Sequence, residues 1–463
     1  MKIEPMRNAQ MLQCPGSERT FTPKSAPTWI LSLERGRVPL ALSLISAATL
    51  AIFTIFRFVM MVRILTPEQY GYLNLLTTIS NLLPMIAILG IPLHLQKIVR
   101  SSGTGYIAFG IRKGLVASSI TILPTVCALI VLVSPFSQSR GELLISAVAV
   151  SATCHGIGCV IYSSQLLLAA GYRSLASLSM LMVNSTLTWT MLIPYMFDWS
   201  SVEAILVCWS IGCLLTALIV VSSALWLAGK QGPDSVVNAV PRIYGYPRKL
   251  FISGIKTIPS LVGPWALVFA IRYLMGIYLG ESALAQFSIS STVVESSFTI
   301  AVAVISISAN RILDGTSRPL APFLWSTGCL LLVCTPAIFL LPAVLDTLSS
   351  DGYSFSIAVS AILLVGAVAR LYLLSWRQRA LAVGTLGALS MQFVSVTVLS
   401  AILIVICRPD HITAYALVQT GSYLVVAISQ QIVTARREYR LKAATSTGLP
   451  SFNDETVVGK GMQ

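Results

Sequence analysis

Charged residues are scarce in this sequence: Asp, Glu, Lys and Arg make up only 10% of its 463 residues, while hydrophobic residues make up 55%. A soluble domain of that length needs more charge to cover its surface, so a soluble fold is excluded. Acids are the scarcer sign, 17 against 31 Lys and Arg, and there are only three histidines. No carboxylate or histidine cluster is at hand for transfer or hydrolytic chemistry, and no nucleotide-binding loop occurs that would drive work with ATP. The nine cysteines are odd in number. All but Cys14 lie in or at the ends of apolar runs, where they act as small hydrophobes, with neither a disulfide framework nor metal spacing. The sequence therefore reads as a non-enzyme without a bound cofactor or metal, embedded in a lipid bilayer.

What is present is apolar length. Twelve runs reach the roughly 20 residues that a helix needs to cross a bilayer. They lie at 38–61, 73–96, 114–134, 143–169, 175–196, 204–229, 251–279, 283–308, 320–345, 355–376, 384–407 and 412–434. The expected fold is all-α and membrane-embedded. Residues 1–37 are polar and lack the short apolar core of a removable signal, so they read as a cytoplasmic tail.

Loop charge sets the orientation. Thirteen loop Lys and Arg fall on the side of the termini against three opposite, Arg63, Arg140 and Arg408. By the positive-inside rule both termini are cytoplasmic, in a multi-pass protein of the plasma (inner) membrane. The net charge of +14 thus reports topology and not a nucleic-acid partner. The basic exit RREYRLK at 436–442 suits anionic headgroups, and 435–463 reads as a cytoplasmic tail.

The longest internal polar segment, 230–250, separates six runs (38–229) from six more (251–434) and reads as a cytoplasmic linker. LTPEQYGYLNLLTTIS at 65–80 and YLGESALAQFSISSTV at 278–293 join the first and second runs of each half, with Glu68 and Glu281 in register. Two six-helix bundles related by a pseudo-twofold along the membrane normal are expected. In the first of these joints, Pro67 is expected to end helical pairing and Gly71 to permit a sharp turn, with Arg63 and Tyr70 at headgroup level.

RILTPEQYG, with Arg63, Leu65, Pro67, Tyr70 and Gly71, resembles the Arg-x-Leu-x-Pro-x-x-Tyr/Phe-Gly signature of polysaccharide transporters. These are the O-antigen and exopolysaccharide flippases of the multidrug/oligosaccharidyl-lipid/polysaccharide exporter superfamily. LGIP at 89–92, with Gly90 and Pro92, is similar to the family's Gly-Ile/Leu-Pro element, and AAGYRS at 169–174 to its turn after the fourth helix. The likeness covers the whole chain in layout. It departs in the seventh run, where Ile271 stands before Arg272 and the family often has Asp.

The resemblance implies a MATE-like arrangement and a cargo of polyprenyl-pyrophosphate-linked oligosaccharide, with a polysaccharide polymerase and export components as further partners. Of the ionisable residues inside the runs, Arg57, Arg272 and Arg370, with Lys256 as a helper, are the candidates for holding the pyrophosphate. Arg57, Arg272 and Lys256 lie toward helix ends, so snorkelling stays an open alternative to cavity lining. Glu295 is either a coupling acid or a structural partner of one of these cations.

Polar stripes mark the faces that look inward: Asn74, Thr77, Thr78 and Asn81; Ser151, His155, Gly158, Tyr162 and Gln165; and Ser288, Ser291, Thr292, Glu295 and Thr299. Helix contacts and a wet passage for sugar hydroxyls are both open readings. His155 is read either as a packed histidine or as a route for proton coupling, since histidine is the residue type suited to proton exchange; sodium is the other candidate coupling ion. Gly254, Pro259, Gly263 and Pro264 predict a bent or broken seventh helix. Two other functions fit less of the pattern. A multidrug or cation antiporter should carry embedded acids in its first half, and a membrane glycan transferase or polymerase should carry acidic clusters or long outer loops.

Overall fold

The computed structural model describes residues 38–87, 106–137, 139–229, 247–313, 319–348, 353–383 and 385–446. Twelve α-helices fill them: α1 Val38–Ile64, α2 Pro67–Ala87, α3 Tyr106–Val133, α4 Arg140–Ala169, α5 Arg173–Met196, α6 Val202–Gly229, α7 Pro247–Leu279, α8 Glu281–Leu313, α9 Leu320–Leu348, α10 Ile357–Val383, α11 Leu386–Cys407 and α12 Ile412–Ser446. No strand occurs among the described residues. The predicted Gly90–Pro92 element and most of the 230–250 linker lie outside them. The last helix runs twelve residues past the predicted end of its span.

The packing repeats. In the first half α1 lies on α5, α4 on α6, and α2 and α3 both on α4; in the second half α7 lies on α11, α10 on α12, and α8 and α9 both on α10. This is the two-bundle pattern of equal topology that the sequence predicts. The bundles meet along a seam made by α1 and α2 with α7 and α8. Side chains such as Leu123, Leu332 and Ile406 point away from both cores, the normal surface of a chain whose solvent is lipid.

Among the described residues, ten of the twelve helices contain a stretch long and apolar enough to cross a membrane, and α2 and α8 contribute none. These two pack on each other across the seam. In α8 the hydroxyls of Ser290, Thr292, Ser296, Ser297 and Thr299 each donate to the carbonyl four residues back, at 2.7 to 3.0 Å. A helix rich in Ser and Thr can satisfy its own hydroxyls in this way and still sit inside a membrane protein.

The joint at 63–71 differs from its predicted hairpin. Pro67 is the first residue of α2, where its missing N–H costs nothing. Thr66 caps the helix: its Oγ1 accepts from the Gln69 N–H, and the Gln69 Oε1 accepts from the Thr66 N–H, at 3.3 and 3.0 Å. This reciprocal capping box starts α2 six residues before the predicted span. Gly71 is therefore a helical residue, and its role is close approach: a Cβ there would lie 2.1 Å from the Glu281 carbonyl oxygen of α8. Tyr70 is only 2% exposed and lies inside the seam, away from headgroups. Arg63 does stay exposed, donating to the Tyr195 hydroxyl at 3.2 Å.

Candidate functional site

At the end of the molecule opposite the termini, here the far end, the seam is shut. The Tyr353 hydroxyl donates to the Leu65 carbonyl at 2.7 Å, and its ring meets that of Tyr70 edge-on, 5.9 Å between centres. Phe136, beyond α3, packs on Tyr273 of α7 at 5.5 Å and fills the space over Gly276. Glu281 joins this seal at the tip of α8. Burial first, and then the nearby Glu68, raise its carboxyl above the ordinary carboxylate value.

Deeper in the seam lies a charged cluster. Arg272 of α7 is 4% exposed, too buried to snorkel. One of its Nη atoms donates across the seam to Thr78 Oγ1 of α2 at 2.8 Å; the other donates to Ser291 Oγ at 2.8 Å and Glu295 Oε1 at 2.6 Å, both on α8. Its Nε is buried without a partner. A buried guanidinium is tolerable only with such pairing, so α2 and α8 supply what its burial requires. The Glu295 side chain is 39% exposed, with one oxygen held by Arg272. Its charge reaches Arg57 on α1.

Arg57 lines a pocket with Thr54, Tyr70, Asn74 and Thr77 of the first half and Thr292 of the second. Arg370 of α10 lines another with Ser291, Glu295 and Gln419. Its guanidinium carbon stands 4.3 Å from the ring centre of Phe298 and 5.5 Å from those of Trp265 and Tyr423. Three aromatic faces hold the cation by its ring quadrupoles, and no carboxylate pairs with it among the described residues. Tyr423 also donates to the Pro264 carbonyl at 2.9 Å, tying α12 to α7. The helix α7 runs unbroken through Pro259 and Pro264, contrary to a break there.

Around α8 stand Arg57 and Arg272 at the seam and Arg370 on its second-half side, three cations about the one carboxylate of Glu295. Two of the polar stripes meet there: Asn74, Thr77 and Thr78 on α2, and Ser291, Thr292 and Glu295 on α8. Asn81 lies exposed farther along α2. Two residues of the α4 stripe, His155 and Tyr162, face α3 instead. His155 is buried, with Nδ1 at 2.7 Å from the Ser151 carbonyl and Nε2 at 3.4 Å from Thr121 Oγ1 of α3. The ring of Tyr162 covers Gly114 of α3, and its hydroxyl is buried without a partner. Both residues sit in the α3–α4 contact inside the first half. The backbone of Lys256 lies in α7, and its side chain is outside the described residues.

The aromatic holder of Arg370 and the acceptor Gln419 are absent from the sequence reading. Trp265, Phe298 and Tyr423 come from three helices, and no spacing within one helix signals them. Thr78 and Ser291 had a signal, since each lies on a polar stripe.

No protein-family model matches the sequence, and no curated protein matches it. Solved structures do. A multidrug-resistance MATE transporter of the multidrug/oligosaccharidyl-lipid/polysaccharide superfamily in an outward-facing conformation aligns with a TM-score of 0.56 at 15% identity, over 91% of this chain and 100% of its own. An inward-facing MATE transporter of the same superfamily gives 0.56 at 14%, over 87% and 99%. A superfamily transporter from Pyrococcus furiosus, described as having a binding pocket of reversed polarity that suggests a different function, gives 0.55 at 15%, over 90% and 99%. With the main helix pairings repeated in both halves and the alignments running nearly end to end, the chain carries the fold of the MATE transporters of that superfamily.

Proposed function

We propose that this protein is a flippase that carries a polyprenyl-pyrophosphate-linked oligosaccharide across the plasma membrane by alternating access, for surface or exopolysaccharide synthesis. The observation that carries the reading is the sign of the seam. Among the described residues of the deep cluster the one carboxylate, Glu295, is engaged by Arg272. Arg57 from the first half and Arg370 from the second are thereby left to meet an anion from either side of α8. A diphosphate carries two charges and accepts bidentate bonds from guanidinium groups. The polyprenyl tail would remain in lipid while the headgroup passes along the polar faces of α2 and α8. Loop charge turns the far end outward and leaves both termini in the cytoplasm. A proton or sodium ion bound at Glu295 would be the means of coupling, and a polymerase the recipient of the exported unit.

A second reading, a multidrug antiporter, is favoured by the multidrug transporters that share the fold and by the partial exposure of Glu295. The Pyrococcus transporter, described as having a pocket of reversed polarity that suggests a different function, supports reading this fold by the charge of its own pocket. One strain separates the two readings. Deleting the gene should cause lipid-linked glycan to accumulate on the cytoplasmic leaflet with drug tolerance unchanged. Normal glycan export with new drug sensitivity would replace the flippase by the antiporter.

A further inference from the structure

Beside Arg370, the pocket between α8, α10 and α12 holds more than an anion site requires. Gln419 of α12 lines it, is 6% exposed, and has a buried Oε1 that no donor reaches. A buried acceptor left unmet is strongly disfavoured, and such groups are usually answered by a water or a guest. The second oxygen of Glu295 is a further acceptor, because Oε1 alone is held by Arg272. Ser291 is already engaged, accepting from Arg272 and donating to the Ser288 carbonyl at 3.0 Å. Arg370 adds N–H donors in the plane of a guanidinium whose faces the rings cover.

This mixture selects a chemistry. A bare phosphate offers only acceptors and would set oxygen against Gln419 and Glu295. A cationic drug would meet Arg370. A group that both donates and accepts satisfies all three residues, and sugar hydroxyls and acetamido groups do so. Size narrows it further: the cavity is about 20 Å³, room for roughly one water or one exocyclic substituent and not for a pyranose ring. We infer that this pocket is a subsite for one hydroxyl or acetamido group of the sugar adjoining the diphosphate, with Gln419 and Glu295 accepting and Arg370 donating. The inference rests on the flippase reading and adds to it the residue that reads the glycan.

The test uses the full-length protein in lipid nanodiscs and three probes with one short prenyl chain: the bare diphosphate, the diphosphate bearing glucose, and the diphosphate bearing N-acetylglucosamine. At least one sugar-bearing probe should bind about tenfold more tightly than the bare one, the scale of one good hydrogen bond in a buried site. Gln419→Met keeps the length and removes the acceptor, so it should bring all three affinities within about twofold of each other. Its retained binding of the bare probe shows that it is folded. Gln419→Asn, which withdraws the amide, is a second variant with the same expectation. Equal binding of the three probes by the unaltered protein, or a sugar preference that survives in both variants, means the pocket holds only water and overturns the subsite while the flippase reading stands. If no probe binds, the flippase reading fails and the subsite with it.

Discussion

Arg272 and Arg370 solve one problem in two ways. Each is a guanidinium inside a membrane protein, where a charge must be paired or face water. Arg272 is paired, and removing its partner strands it. Glu295→Ala should therefore destabilise the protein by about 2 kcal/mol, below the full cost of breaking a buried pair because the carboxylate is partly exposed. Joint replacement by Arg272→Met and Glu295→Met should recover most of that loss, and thermal unfolding in detergent compares the variants. Arg370 is held by ring faces, which leaves its N–H groups for a ligand. Arg370→Ala should lower affinity for a prenyl diphosphate about tenfold or more at normal protein levels. Arg370→Lys should fail to restore it, because an ammonium cannot lie flat among three rings and offer a planar fork. Full binding by either variant would remove Arg370 from the site.

Among the elements, the seam helices form the closed far end. Gly71 lets α2 approach the start of α8 so closely that any side chain would meet backbone. Gly71→Val should cost the closed far end roughly 1–3 kcal/mol and hold it open. Spin labels at Thr66 and Ser354, both exposed beside the Leu65–Tyr353 contact, should then report a longer distance. An unchanged distance would mean that the contact at Gly71 does not govern closure. The same labels read the pH dependence. The carboxyl of Glu281 is raised from an ordinary value of 4.5 by burial and by Glu68, with the Tyr353 hydroxyl also facing this acidic seal. The closed far end therefore binds its proton more tightly than an open, solvated one. Closure should be favoured on acidification and lost as pH rises from about 4.5 through the raised value. Glu281→Gln should stay closed across that range.

At the scale of the molecule, the twelve helices were legible because crossing a bilayer demands apolar length, and the two halves because loop charge and the polar segment at 230–250 repeat a plan. The start of α2 was also written in the sequence, as Thr66 and Gln69 flanking Pro67, but the proline was read as a stop and the capping box passed over. Four residues around α8, Arg57, Arg272, Glu295 and Arg370, stood out simply as charges among apolar neighbours. Their division of labour did not, since it depends on which helices touch across the seam, and periodicity within one helix carries no such information. For His155 and Tyr162 the sequence left helix packing and cavity lining both open, because a polar stripe looks the same whether it meets a cavity or a neighbouring helix.

The polarity of α2 and α8 also bears on how the chain is made. Both bring hydroxyl or charged groups into the seam, where Thr78 meets Arg272, and the largest contact of α2 is with α8, more than two hundred residues away. That contact surface of α2 is completed only once α8 has been made, so the packing of the first half stays unfinished until the second has begun.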